Sequence, residues 1–125
     1  MEKLNKILND DEVRALDDRL LSYEERSAEA QAKAAQAYAR LLHLAESHDS
    51  GQIRKIAQFL AATYNGAAFK FDLFDLRILD VAISDDMLAA LDALRWGKAD
   101  LFRLVPDGEK RVQAVIESWG PQPEL

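Results

Sequence analysis

The sequence predicts a mostly α-helical protein, with a long N-terminal helix or helical hairpin followed by a small helical globular domain with at most one two-stranded β-ribbon. Two observations carry this prediction. No glycine or proline interrupts the chain from Val13 to Glu46, and beyond this stretch apolar residues recur at helical spacing between capping and turn residues. We therefore divide the chain into a helical arm over residues 1–48, a compact domain over 49–121 and a loose tail over 122–125.

The arm contains the strongest local helix signal. Asn9 or Asp10 can cap a helix whose first turn is acidic. The stretch ERSAEAQAKAAQAYARLL is rich in residues that lose little entropy on becoming helical. Serines and paired acids interrupt the apolar pattern between Ser22 and Ser27, so we expect any bend of the arm in this interval.

The compact domain is predicted to contain several shorter helices. Ser50, Asp72 and Ser84 are the expected N-terminal caps of three of them, and Gly97 is the expected end of the third. The last helix carries a regular apolar stripe from Val112 to Trp119.

Two short segments alternate like strands and are the candidates for the ribbon, namely Phe69–Phe71 and Leu101–Val105. The core is expected to be built from apolar residues of all these elements. The side chains expected to be largely buried are Phe59, Leu60, Phe69, Phe71, Leu76, Leu88, Leu91, Val115 and Trp119.

Composition excludes several classes of function. The net charge of −6, from 22 acidic and 16 basic residues, is neither the basic excess of a typical nucleic-acid binder nor the extreme of a nucleic-acid mimic. The chain has no cysteine, which excludes disulfides and thiolate chemistry. Acids near the N-terminus interrupt any signal peptide, and no apolar run is long enough for a membrane span. We expect a cytoplasmic protein without a membrane partner.

A repeating apolar pattern in the arm is the most prominent feature of the sequence. Positions spaced alternately by three and four residues form the a/d seam of a coiled coil over more than four heptads. Apart from Ser27, these positions are Val13, Leu16, Leu20, Tyr23, Ala30, Ala34, Ala37, Leu41 and Leu44. The seam either joins two copies of the chain or packs the arm, as an amphipathic helix or hairpin, on its own compact domain. A homo-oligomer, with a dimer favoured, is the expected state.

The charged residues that flank the seam favour one orientation of such a dimer. In a parallel pair Arg19 faces Glu24 of the second copy, whereas an antiparallel pair would oppose mostly basic positions. The contact between Glu12 and Asp17 counts against the parallel arrangement. The basic flank also offers an alternative function, because it could contact nucleic acid as a stripe formed by Arg19, Arg26, Lys33 and Arg40.

An acidic cluster with one arginine is the second candidate site. Asp72, Asp75 and Asp80 could in principle bind a hard cation, but each has a capping or helix-end position that explains it, and no calcium-loop pattern is present. Arg77 either pairs with one of these carboxylates or projects into a ligand cleft. The spacing of His43 and His48 is not that of a zinc helix. We expect no metal and no cofactor.

The segment FLAATYNGAAFKFDLFDLRILD, residues 59–80, contains the recurring core YNG, an aromatic, FDL, LR and LD. With this core the chain resembles an uncharacterised family of small proteobacterial proteins associated with plasmids and integrated mobile elements. Some relatives carry proline at the position of Lys70. The resemblance implies a bacterial mobile-element origin and no activity.

These observations favour a non-enzymatic role. The chain has no G-x-S-x-G elbow and no phosphate-binding loop, so no catalytic residue is assigned. We expect an accessory factor of a bacterial mobile element that binds an unidentified protein or assembles with itself. A nucleic-acid-associated regulator is the first alternative, and a small-ligand binder or enzyme centred on Arg77 is the second.

Overall fold

A computed structural model describes residues 7–120, except for the side chains of Leu20 and Leu21. Within these residues the regular structure is helical and contains no β-strand, so the predicted fold class is confirmed. No described helix is both long and apolar enough to cross a bilayer. The elements are α1 (Asp10–Leu21), α2 (Tyr23–Ser47), α3 (Gly51–Tyr64), a first 3₁₀ helix (Leu73–Ile78), α4 (Val81–Leu94), a second 3₁₀ helix (Leu101–Leu104) and α5 (Gly108–Trp119).

Within residues 10–47 of the arm, two helices meet at Ser22, at the start of the interval where a bend is expected. Asn9 caps α1, since its Oδ1 accepts a hydrogen bond of 2.8 Å from the backbone N–H of Glu12. At the other end the Ser22 hydroxyl donates to the carbonyl of Arg19 at 3.0 Å. This local bond competes with the helix ladder, which accounts for the interruption.

The longest helix, α2, packs antiparallel to α4. Tyr23 at the start of α2 contacts Trp96 just beyond the end of α4, with ring centroids 4.9 Å apart. Arg40, farther along α2, pairs with Asp86 near the start of α4. The buried residues between these contacts are mostly small, and small side chains allow two helices to approach closely. They include Ala30, Ala34 and Ala37 of α2, and Ala90 and Ala93 of α4.

The remaining core lies between α2, α3, α5 and the second 3₁₀ helix. The hydroxyl of Tyr38, a fully buried residue, is 2.9 Å from Thr63 Oγ1. The Thr63 hydroxyl donates its only proton to the carbonyl of Leu60. The Tyr38 hydroxyl is therefore the donor in its hydrogen bond with Thr63. Burial raises the pKa of Tyr38 to about 12. The Trp119 indole N–H donates to the carbonyl of Ala45 at 2.9 Å and ties the end of α5 to α2.

The predicted ribbon is absent from the described residues, and its two segments adopt other structures. Leu101–Leu104 forms the second 3₁₀ helix, in which Arg103 donates its backbone N–H to the carbonyl of Asp100. Phe69–Phe71 has no regular structure. The backbone N–H of Phe69 bonds back to Asn65, so local turns satisfy groups that a strand would have paired.

Helix α4 begins earlier and presents a different face than predicted. It starts at Val81, and Ser84 lies inside it with its hydroxyl bonded to the Val81 carbonyl. The inward face carries Met87 and two alanines, whereas Leu88 remains 54% exposed. An alanine face on α4 fits the alanine face of α2, because the two backbones can then approach closely.

The predicted core is correct at its centre and wrong at its edges. Phe59, Leu60 and Val115 are buried. Leu88 is exposed, as stated above, which corrects that assignment. The other predicted core residues are only partly buried, namely Phe69, Phe71, Leu76, Leu91 and Trp119.

Candidate interaction surfaces

The central part of the predicted coiled-coil seam is occupied by the chain's own core. Ser27 and the seam residues from Ala30 to Leu41 are buried, and Leu44 is partly buried. The N-terminal part of the seam is more open to solvent. Val13 and Leu16 are partly exposed and Tyr23 is 45% exposed, while the side chain of Leu20 lies outside the described residues.

Helix α1 has no buried residue among its described side chains. Its apolar stripe, with Val13 and Leu16, is therefore not part of the core described above. The rest of the helix is strongly acidic and solvated, with exposed carboxylates at Asp10, Asp11, Glu12, Asp17 and Asp18. Val13 and Leu16 are partly buried, but neither belongs to the described hydrophobic core. An amphipathic helix of this kind can bind another helix through its apolar stripe.

The predicted basic stripe is divided among several local partners. Arg40 makes two hydrogen bonds to Asp86, at 2.7 and 3.0 Å. This hydrogen bonding raises the pKa of Arg40 above its ordinary value. Lys33 pairs with Glu29 at 3.1 Å on the same helix. Arg19 is exposed at the end of α1. The structure therefore does not present the four side chains as one free row.

The fourth member of the stripe joins a cluster of cations and aromatic rings that the sequence analysis missed. The guanidinium carbons of Arg26 and Arg95 each lie 5.4 Å from the Trp96 ring centroid, and Lys98 Nζ lies 5.3 Å from that of Tyr23. The Trp96 indole N–H is buried and has no hydrogen-bond partner among the described residues. The sequence feature that could have revealed this cluster is the segment RWGK, in which two cations lie close to the tryptophan.

The acidic cluster is dispersed over separate structural roles. Asp72 caps the first 3₁₀ helix by accepting the N–H of Phe74 at 2.9 Å, and Asp75 pairs with Lys55 of α3 at 3.1 Å. Asp80 precedes α4, and its backbone N–H donates to Gln52 Oε1.

Arg77, the arginine of this cluster, lies over the Phe74 ring at 5.0 Å and is exposed. The pairing of Arg77 with Asp75 that the sequence suggested is replaced by the bond from Lys55. No group of three or more His, Cys, Asp or Glu residues within the described segment is arranged to hold a metal ion.

A set of exposed apolar side chains on the first 3₁₀ helix and α4 is the main feature that sequence reasoning missed. Apart from Ile7 and Tyr23, the exposed large hydrophobic residues of the described chain all lie between residues 73 and 94. They form what we call the α4 apolar surface, made of Leu73, Phe74, Ile78, Val81, Leu88 and Leu94, which are 47% to 73% exposed.

Two relationships connect the members of this surface. Leu73, Leu91 and Leu94 line one shallow depression of about 220 Å³ beside Phe69. Leu88 precedes Leu91 by one helical turn, and Val81 precedes Leu88 by two. Val81 and Leu88 therefore share one face of α4.

An apolar groove of about 500 Å³ lies on the other side of α4, against the C-terminal half of α2. Ala39, Leu44, Ala82 and Ile83 line it. Its rim carries His43 and the ion pair between Arg40 and Asp86.

Comparison with known proteins yields one match. The model of a "Family of unknown function (DUF7673)" matches residues 35–120. No curated protein and no solved structure matches the chain. The matched segment contains the whole α4 apolar surface and the groove, whereas α1 lies outside it.

Proposed function

The chain belongs to this family of unknown function, and we propose that it is a non-enzymatic protein-interaction factor that associates with a second copy of itself through α1. The observation that carries the proposal is the apolar stripe of α1, which the described core does not bury. The resemblance of residues 59–80 to mobile-element proteins supports a cytoplasmic accessory role in a bacterial mobile element.

The physical argument concerns how a short helix becomes stable. An isolated helix of 12 residues is marginal in water, because propagation barely offsets the cost of nucleation. Packing of an apolar face supplies the missing free energy, and none of the α1 side chains that the structure describes is buried. A second α1 provides the matching stripe, since Val13 and Leu16 continue the a/d spacing.

The proposed dimer is parallel. This orientation places Arg19 of one copy opposite Glu24 of the other, and both side chains are exposed. Association is confined to the part of the seam that precedes Ser27, because the core buries the positions that follow. The interface is therefore short, so the dimer should be weak and depend on protein concentration.

Sedimentation equilibrium over a range of concentrations tests this proposal. We expect the wild type to dimerise and a Val13→Glu, Leu16→Glu double variant to remain monomeric. An Ala15→Glu variant, on the exposed side of α1, is the matched control and should dimerise like the wild type. A substitution in the later part of the seam, such as Leu41→Glu, would not test dimerisation. Leu41 is fully buried, so its replacement by glutamate would disrupt the core. A monomeric wild type at all concentrations would refute the proposal.

A nucleic-acid role is a second candidate, and the Tyr23–Trp96 cluster favours it. Arg95 and Lys98 from beyond α2 join Arg26 there, and cations beside aromatic rings are common in single-strand binding sites. A labelled single-stranded oligonucleotide should then bind with a steep salt dependence that an Arg26→Ala, Arg95→Ala variant weakens. Equal binding by this variant and the wild type would exclude the cluster. A ligand role for Arg77 gains no support, because its guanidinium rests on Phe74.

A further inference from the structure

We propose that the α4 apolar surface binds an amphipathic helix of another protein whose polar flanks are basic. The proposal deepens the interaction role given above but does not require α1 to dimerise. It makes the chain an adaptor, with self-association at α1 and partner binding at α4.

The shape of the surface favours a helical partner. Val81 and Leu88 lie two turns apart on the solvent side of α4, opposite the alanine face that packs on α2. The helix has 14 residues and is therefore about 21 Å long at 1.5 Å per residue. A partner helix of about four turns would span it with apolar residues at i, i+3, i+4 and i+7.

The first 3₁₀ helix contributes exposed apolar residues near the C-terminal part of α4 and just before its start. Leu73 adjoins Leu91 and Leu94 in the shallow depression at one end of α4. Ile78 precedes Val81 by three residues and is 65% exposed at the other end. Clusters of exposed apolar residues mark interaction sites, whereas single exposed apolar residues are common on ordinary protein surfaces.

The charges around the surface favour a partner of complementary charge. Asp72, Asp80 and Asp85 are exposed beside it, and none of the three carboxylates forms an ion pair within residues 7–120. Two exposed cations also lie in this region: Arg77 covers the Phe74 ring, and Lys70 donates to the carbonyl of Gly66 at 3.1 Å. An apolar stripe with exposed carboxylates at its edge is complementary to an apolar stripe with lysine or arginine at its edges.

The same charges argue against a second copy as the occupant. The amphipathic helix that this chain offers is α1, whose described residues include the five exposed carboxylates named above against Arg14 and Arg19. Docking α1 on the α4 apolar surface would bring acidic flanks toward Asp80 and Asp85. Juxtaposed like charges suppress association, so the two surfaces should bind different partners.

Fluorescence anisotropy with a synthetic probe tests the proposal. The probe is a labelled 14-residue helical peptide with leucine at i, i+3, i+4 and i+7 and lysine at its flanks. A matched peptide carries glutamate in place of lysine. The lysine peptide should bind the full-length wild type at least tenfold more tightly than the glutamate peptide. Its affinity should fall as the salt concentration rises, because the flanking charges are exposed.

Variants of exposed residues separate the surface from non-specific adhesion. Val81→Ser, Leu88→Ser should weaken binding of the lysine peptide at least tenfold. Ile7→Ser, which removes an apolar side chain that is 80% exposed elsewhere, is the control and should have no effect. Asp80→Asn, Asp85→Asn should weaken binding several-fold and flatten its salt dependence. Circular dichroism and thermal melting verify that each variant is folded.

The outcomes distinguish this proposal from dimerisation through α1. The Val13→Glu, Leu16→Glu variant should still bind the lysine peptide as the wild type does. Absence of lysine-peptide binding, equal binding of both peptides, or binding that survives loss of Val81 and Leu88 would overturn the proposal. It would also be overturned if Val81→Ser, Leu88→Ser abolished a wild-type dimer in sedimentation, because the surface would then join two copies of the chain.

Discussion

Arg111 and Glu46 lie 65 residues apart in sequence and form a bidentate ion pair that links α5 to the end of α2. Arg111 Nη2 is 2.7 Å from Glu46 Oε1, and Nε is 2.9 Å from Oε2. This geometry matches the planar guanidinium to the planar carboxylate. The hydrogen bonds from Arg111 lower the pKa of Glu46 below its ordinary value.

The pair should make stability depend on pH in the acidic range. Because the folded-state pKa of Glu46 is lowered, its stabilisation is present above the ordinary glutamate pKa of about 4.3 and is lost as the pH falls through the folded-state value. Both side chains are about one-third exposed, so we expect roughly 0.5–1 kcal/mol. Urea unfolding of Glu46→Gln should show this loss at pH 7.

The same experiment at low pH provides the test of this cause. At pH 3 the difference between Glu46→Gln and the wild type should be smaller than at pH 7, since the stabilisation from the lowered pKa declines once the pH is below the ordinary glutamate value. Glu29→Gln, at the more exposed pair with Lys33, should have a smaller effect at both pH values. An undiminished difference for Glu46→Gln at pH 3 would show that packing rather than charge is responsible.

Gly108 should be intolerant of a side chain. A Cβ placed there would lie 1.8 Å from the carbonyl oxygen of Phe102, so the second 3₁₀ helix would have to move. We expect Gly108→Ala to cost about 1–3 kcal/mol or more in the free energy of unfolding. Gly51→Ala, where nothing lies within 4 Å, is the control and should stabilise the first turn of α3 by about 0.5–1 kcal/mol. Equal effects would contradict the close approach seen at Gly108.

Phe59 and Phe71 should differ in their contributions to stability although they contact each other edge to face, with centroids 5.4 Å apart. Phe59 is buried, and Phe59→Ala should cost about 3–5 kcal/mol. Phe71 is only partly buried, so Phe71→Ala should cost clearly less. Chemical denaturation of both variants measures the difference. A larger loss for Phe71→Ala would place the centre of the core on the loop before the first 3₁₀ helix.

Local features of the fold could be predicted because local chemistry determines them. The caps at Asn9, Ser50 and Asp72 are confirmed, since each side chain accepts a backbone hydrogen bond at the start of its helix. The weak interval after Ser22 was found for the same reason, because serine bonds readily to nearby backbone.

The tertiary use of each apolar face could not be predicted. In α4 both the leucine series that includes Leu88 and the inward series that includes Met87 have helical spacing. The alanine face of α2 decides between them, and that contact joins distant parts of the chain. Likewise the positions from Ala30 to Leu41 satisfy either a coiled coil or a packed helix, since both periods tolerate the same spacing. The α4 apolar surface was missed because Leu88, one of its members, was assigned to the core.

Oxidative cross-linking of Leu16→Cys tests the central claim, association through α1, most directly. The chain has no cysteine, so any disulfide must join two copies at the introduced position. In a parallel pair the two Leu16 positions face each other within the range that a disulfide spans. We predict rapid formation of a covalent dimer by Leu16→Cys and slow formation by Ala15→Cys on the exposed side of the same helix. Cross-linking of Leu16→Cys no faster than that of Ala15→Cys would contradict a dimer built on α1.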